Sequence, residues 1–92
     1  MLFFIHHQDR KGALGIRQDT REAHLSYVKE FKLLAAGPTI NEEDGHMDGS
    51  VIIVEVRDRA ALDAFIANDP YAQANLFEKT TVKEWKKVIF EA

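Results

Sequence analysis

The stretch Thr20-Arg-Glu-Ala-His-Leu-Ser-Tyr-Val-Lys-Glu-Phe-Lys-Leu-Leu-Ala-Ala-Gly-Pro38 turns from a helical pattern into an extended one. From His24, steps of three and four residues reach Tyr27, Val28 and Phe31, the stripe that an amphipathic helix turns towards a core. The spacing predicts a helix from Asp19 or Thr20 to Phe31 with His24 facing inwards. Thr20 is only a partial start signal, because a capping box would place Glu or Gln three residues later and Ala23 stands there. Lys32 follows almost without a spacer, and Pro38 biases Gly37 towards extended geometry, so a short strand is expected to end at Pro38. An inward imidazole has two readings. It is either a core side chain whose nitrogens have found partners, or a proton-transfer group held where water is scarce.

On the amino-terminal side, Leu2–His7 reads as a strand with Leu2, Phe4 and His6 on one face and Phe3, Ile5 and His7 on the other. Gln8–Gly15, with its charges and glycines, is expected to be a loop. On the carboxyl side, residues 39–48 are acidic and aperiodic, which suits an exposed loop able to cover a site. Gly49 and Ser50 lead into Val51–Val56, apolar on both faces except for Glu55 and so an interior strand. Asp58 is a good N-cap for a helix over Arg59–Asn68, with Ala61, Leu62, Phe65 and Ile66 as its buried stripe. Asp69 and Pro70 restart the chain as cap and first helical residue of a short helix to about Asn75. Leu76–Phe90 is rich in β-formers and predicts a bend and a last strand.

The order β-α-β-β-α-β predicts an α+β fold of the ferredoxin-like kind, a four-stranded antiparallel sheet with its helices on one face, over a single domain spanning residues 1–92. Helices cover one face only, while the strands carry apolar residues on both. The open face is therefore expected to meet a second copy of the chain, sheet against sheet, in a homodimer.

Ninety-two residues hold one core, burying roughly 60% of the unfolded surface. A net charge of -3 gives no general attraction to phosphate backbones or anionic lipid, so neither nucleic acid nor a membrane surface is an expected partner. Lys83, Lys86 and Lys87 are offset by Glu84 and Glu91, and Gly49–Val54 lacks the aromatics that an RNA-recognition strand would need. Without cysteine there is no disulfide framework, thiolate nucleophile or thiolate zinc site. Met1–Ile5 is stopped by His6 and His7, too short for a signal-peptide core, and no apolar run could span a bilayer. A cytoplasmic location is expected. His6, His7 and His46 with Asp9 invite a metal reading, but no pair has helical ligand spacing, so no metal is expected.

The strand ending in Gln8-Asp9, Arg21-Glu-Ala-His24-Leu25, Ala36-Gly37-Pro38, Gly49-Ser50, Asp69-Pro70-Tyr71 and Val82-Lys-Glu-Trp-Lys-Lys-Val88 together resemble the YciI-like (YCII-related) family, in the right order over essentially the whole chain. The resemblance implies a dimeric α+β barrel type of fold, related in shape to muconolactone isomerase. It also implies a His-Asp dyad, carried here by His24 and Asp69, and in one branch proton-transfer or dehydrohalogenation chemistry on aromatic catabolites. Between Leu25 and Ala36 the chain is a few residues shorter than the family pattern, which trims the end of the first helix.

A carboxylate beside an imidazole fixes one tautomer and leaves the other nitrogen to take or give a proton. On this reading His24 and Asp69 are the catalytic residues, and Arg21, Gly37, Pro38, Ser50 and Tyr71 line the substrate. Each has a plainer role: Asp69 as helix cap, Arg21 as surface partner of Glu22 or Asp9, the glycines as strand ends, Tyr71 as core aromatic. Two functions are open. One is a cofactor-independent enzyme performing proton transfer, isomerisation or elimination on a small anionic carbonyl or enol compound. The other is a non-catalytic metabolite-binding or regulatory module, or a phosphohistidine carrier, that uses the same pocket.

Overall fold

In the computed structural model, which describes residues 1–91, the strands are β1 (Leu2–Asp9), β2 (Lys32–Ile40), β3 (Met47–Glu55) and β4 (Phe77–Trp85). The helices are α1 (Leu14–Val28), α2 (Arg59–Asn68) and the one-turn α3 (Pro70–Gln73). All strand pairs are antiparallel, and the sheet order β2-β3-β1-β4 places the two hydrophobic strands β1 and β3 in the middle. This is the ferredoxin-like βαββαβ arrangement expected from the sequence.

Register explains which side chains meet. Phe3 stands opposite Val54 and Ile5 opposite Ile52, so these four point to the same face. There they close a core with Val28 of α1 and Leu62 and Phe65 of α2. Ile5, Val54 and Leu62 are wholly buried. A second cluster of Ala13, Tyr71 and Leu76 lies beneath α3. The opposite face carries half-buried Leu2, Phe4, Val51, Ile53 and Trp85. Among the described residues no helix is long and apolar enough to cross a membrane.

Several boundaries differ from expectation. The first helix starts at Leu14 instead of Asp19 or Thr20, because the face it buries in its first turns is polar: Arg17 is buried there without any apolar periodicity to announce it. It ends at Val28 instead of Phe31, and Phe31 packs on the core from outside the helix. Strand β2 runs through Pro38 to Ile40. It is an edge strand, and an edge tolerates the proline's missing N–H. The expected loop over residues 39–48 is mostly hairpin: Gly45 donates its N–H to the Asn41 carbonyl, Asn41 donates to the His46 carbonyl, and Gly45 takes a φ of 75°. Strand β3 begins at Met47, ahead of the expected Val51. The short helix closes at Gln73, before Asn75, which adopts a left-handed φ of 56°. The last strand stops at Trp85, leaving Val88, Ile89 and Phe90 exposed beyond it.

Candidate functional site

Where the second half of α1 passes the start of α3, His24 and Asp69 come together. His24 Nδ1 lies 2.8 Å from Asp69 Oδ1 and 3.0 Å from Oδ2, and both residues are buried. A carboxylate can only accept, so Nδ1 carries the hydrogen, and in the neutral ring the lone pair is on Nε2. Asp69 has a second duty: its Oδ1 accepts the Tyr71 backbone N–H at 2.9 Å, capping α3. The cap and the imidazole partner are thus one carboxylate, held from two directions. Tyr71 stacks on the His24 ring at 4.0 Å between centroids and 15° between planes, which sets the ring's plane.

His24 opens on a cavity of about 150 Å³ lined also by Arg17, Arg21, Ala36, Gly37, Pro38, Ser50 and Tyr71. All five expected lining residues, Arg21, Gly37, Pro38, Ser50 and Tyr71, reach it, with Asp69 behind His24. Gly37 has open space beside its Cα. Arg21 is exposed at the rim and makes no ion pair among the described residues. The alternative pairing of Arg21 with Asp9 does not occur, because Asp9 is engaged elsewhere.

Its partner is Arg17, a residue that the apolar pattern did not single out. Arg17 Nε donates to Asp9 Oδ2 at 2.6 Å and Nη2 to Asp9 Oδ1 at 3.0 Å, a two-pronged pair that only arginine geometry permits. Nη2 also donates to Ser50 Oγ at 2.8 Å, and the guanidinium carbon lies 4.7 Å from the Tyr71 ring centroid. Burial opposes the charge, but the hydrogen bond and charge of Asp9 outweigh it and hold the Arg17 pKa above the ordinary arginine value. The available signal was Arg17 itself, seven residues before His24 and hence on the same helical face.

His7 is a separate case. It is buried on the helix-covered face, its Nδ1 2.8 Å from Thr80 Oγ1 and its ring stacked on Phe77 at 3.8 Å. Burial pushes its pKa down to about 4. His6, next to His7 on β1, points to the other face of the sheet. Among the described residues no group of three or more metal-binding side chains gathers. A wider concavity of about 660 Å³, bounded by His6, Asp9, Arg10, Lys11, Asp44 and His46, does not include His24 and shares only Met47 with the His24 cavity.

A model of the YCII-related domain matches residues 1–86 of this chain. The chain belongs to the YCII-related family. Protein YciI of Escherichia coli O6:H1 is 35% identical across 96% of this chain and 99% of its own. An uncharacterized protein from Haemophilus influenzae is 32% identical over the same shares. In structure, this YCII-related chain is similar to 5-chloro-2-hydroxyhydroquinone dehydrochlorinase (TftG) from Burkholderia phenoliruptrix AC1100, solved in complex with 2,5-dihydroxybenzoquinone. The TM-score is 0.89, with 38% identity and 94% of each chain covered.

Proposed function

We propose that this YCII-related protein is a cytoplasmic enzyme, homodimeric through the open face of its sheet and independent of any cofactor. It moves a proton on, or eliminates an anion from, a small anionic carbonyl or enol compound. The observation that carries the reading is the buried contact of His24 Nδ1 with Asp69 at 2.8 Å, behind a ring that opens on a cavity. Asp69 fixes the tautomer, and Nε2 is the base. It takes a proton from a substrate carbon, whose bonding pair moves through the adjoining double bonds towards oxygen, or from a substrate hydroxyl, whose freed pair moves from oxygen into those double bonds. Return of the proton at another carbon gives isomerisation. Departure of an anion from a neighbouring carbon gives elimination, with a proton and that anion as the net loss. Arg21 at the rim places the substrate's standing negative charge.

Likeness to TftG supports a hydroxylated ring compound as the substrate, and the volume agrees, since a cavity of about 150 Å³ accommodates one benzene-sized ring. The test is chloride release from 5-chloro-2-hydroxyhydroquinone. Wild type releases chloride; His24→Gln lowers the rate by about 10²–10⁴-fold, the usual worth of a positioned acid-base group. Asp69→Asn, which retains an oxygen for the α3 cap, lowers it at least about tenfold. Turnover unchanged in both variants removes the enzyme reading. Binding of 2,5-dihydroxybenzoquinone without turnover of any ring compound leaves the metabolite-binding module in its place.

A further inference from the structure

The wall of the cavity that His24 lines also holds a buried hydroxyl. Ser50 is 4% exposed and lines the cavity, and its Oγ accepts a hydrogen bond from the Arg17 guanidinium at 2.8 Å. Arg17 is held in turn by both oxygens of Asp9. With the cation on its lone pair, the Ser50 hydroxyl has its own hydrogen left to donate, and no protein acceptor among the described residues takes it. A cationic donor polarises the hydroxyl and makes it a stronger donor.

We propose that Ser50 donates to the substrate oxygen that gains negative charge during proton transfer, with Arg17 and Asp9 as the positioning residues that aim and polarise it. The inference rests on the proton-transfer reading and adds the oxyanion site to it. Charge separates the roles of the two arginines. Arg17 is neutralised by Asp9, so the Ser50 end holds little attraction for an anion in the ground state and acts where charge develops. Arg21, without an ion pair, meets the charge that the substrate already has. The substrate class that fits is a single-ring monoanion with a second, neutral carbonyl or phenol oxygen across from the anionic one.

The probe is 4-nitrophenol, whose phenolate is seen directly in the visible spectrum, read alongside chloride release. Wild type should bind it with a pKa below that of the free compound. Ser50→Ala should raise the bound pKa by roughly one unit or more and lower kcat about tenfold to hundredfold with little change in KM, the loss of one hydrogen bond to a charged oxygen. Ser50→Thr, which keeps the hydroxyl, should restore both. Arg17→Lys should move the bound pKa in the direction of Ser50→Ala, because one ammonium cannot serve Asp9 and Ser50 in the same geometry. Circular dichroism establishes that each variant is folded. A wild type that leaves the pKa of bound 4-nitrophenol unshifted, or a Ser50→Ala variant indistinguishable from wild type, overturns the proposal. If His24→Gln abolishes turnover and Ser50→Ala does nothing, the oxyanion site falls and the proton-transfer reading stands. If no turnover is found but Ser50→Ala still shifts the bound probe, the oxyanion site stands and the reading of His24 as base falls.

Discussion

His7 is a buried titratable group that takes no part in the proposed chemistry, and its cost is a pH dependence of folding. Its imidazole is 1% exposed, stacked on Phe77, and lowered from 6.5 to about 4, chiefly by burial. As the pH falls the unfolded chain takes up this proton near pH 6.5, whereas the native chain resists until about pH 4. Its neutral form is therefore compatible with full stability above about pH 6.5. Stability declines as the pH falls from there to about 4, by an amount on the order of 3 kcal/mol. His7→Phe, which keeps the stacking and cannot titrate, should flatten this segment of a urea-denaturation series run from pH 7 to 4. An unchanged slope would show that another group carries it. Among the candidate residues, His24 and Asp69 were legible through the family resemblance, His24 in Arg21-Glu-Ala-His24-Leu25 and Asp69 in Asp69-Pro70-Tyr71. Arg17 was not, because an arginine on a helix is read as solvated until a buried carboxylate is found beside it.

Two positions separate local from long-range determinants of the elements. Asp58 caps α2 by accepting the Ala61 N–H at 2.8 Å, and this bond holds its carboxyl below the usual range. Sequence alone identified this cap, because its geometry involves only neighbouring residues. Gly49 is different. A Cβ there would collide with the His7 carbonyl oxygen and lie 2.7 Å from Thr39 Oγ1, so the residue is small because β1 and β2 pass close on either side of β3. Asp58→Ala should lower the urea midpoint slightly and leave ligand binding intact. Gly49→Ala should cost roughly 1–3 kcal/mol and weaken ligand binding, since it strains the strand that carries Ser50. Urea midpoints together with 2,5-dihydroxybenzoquinone titrations would separate the two. Equal behaviour of the variants would contradict the strand-crowding account.

At the scale of the whole molecule, the sheet face without helices carries half-buried apolar side chains, and Val88, Ile89 and Phe90 beyond Trp85 are exposed, the kind of surface that marks an interface. A sheet-to-sheet dimer would cover it, and because an isologous contact repeats every change, one charge counts twice. Ile53→Lys, in the middle of that face, should convert a particle of about twice the 10.5 kDa chain mass into one of chain mass in sedimentation equilibrium. A wild type that sediments as a monomer would refute the dimer. The continuous apolar runs of β1 and β3, the cap at Asp58 and the turn at Asp69-Pro70 act over a few residues. They determined the element order and hence the ferredoxin-like α+β class from sequence alone. The start of α1 and the end of β4 depended on partners distant in the chain. So did the meeting of His24 with Asp69, forty-five residues apart, and of Arg17 with Ser50, thirty-three apart. Polar groups are buried only where such distant partners satisfy them, so only the tertiary structure decided which charged and polar side chains would face inwards.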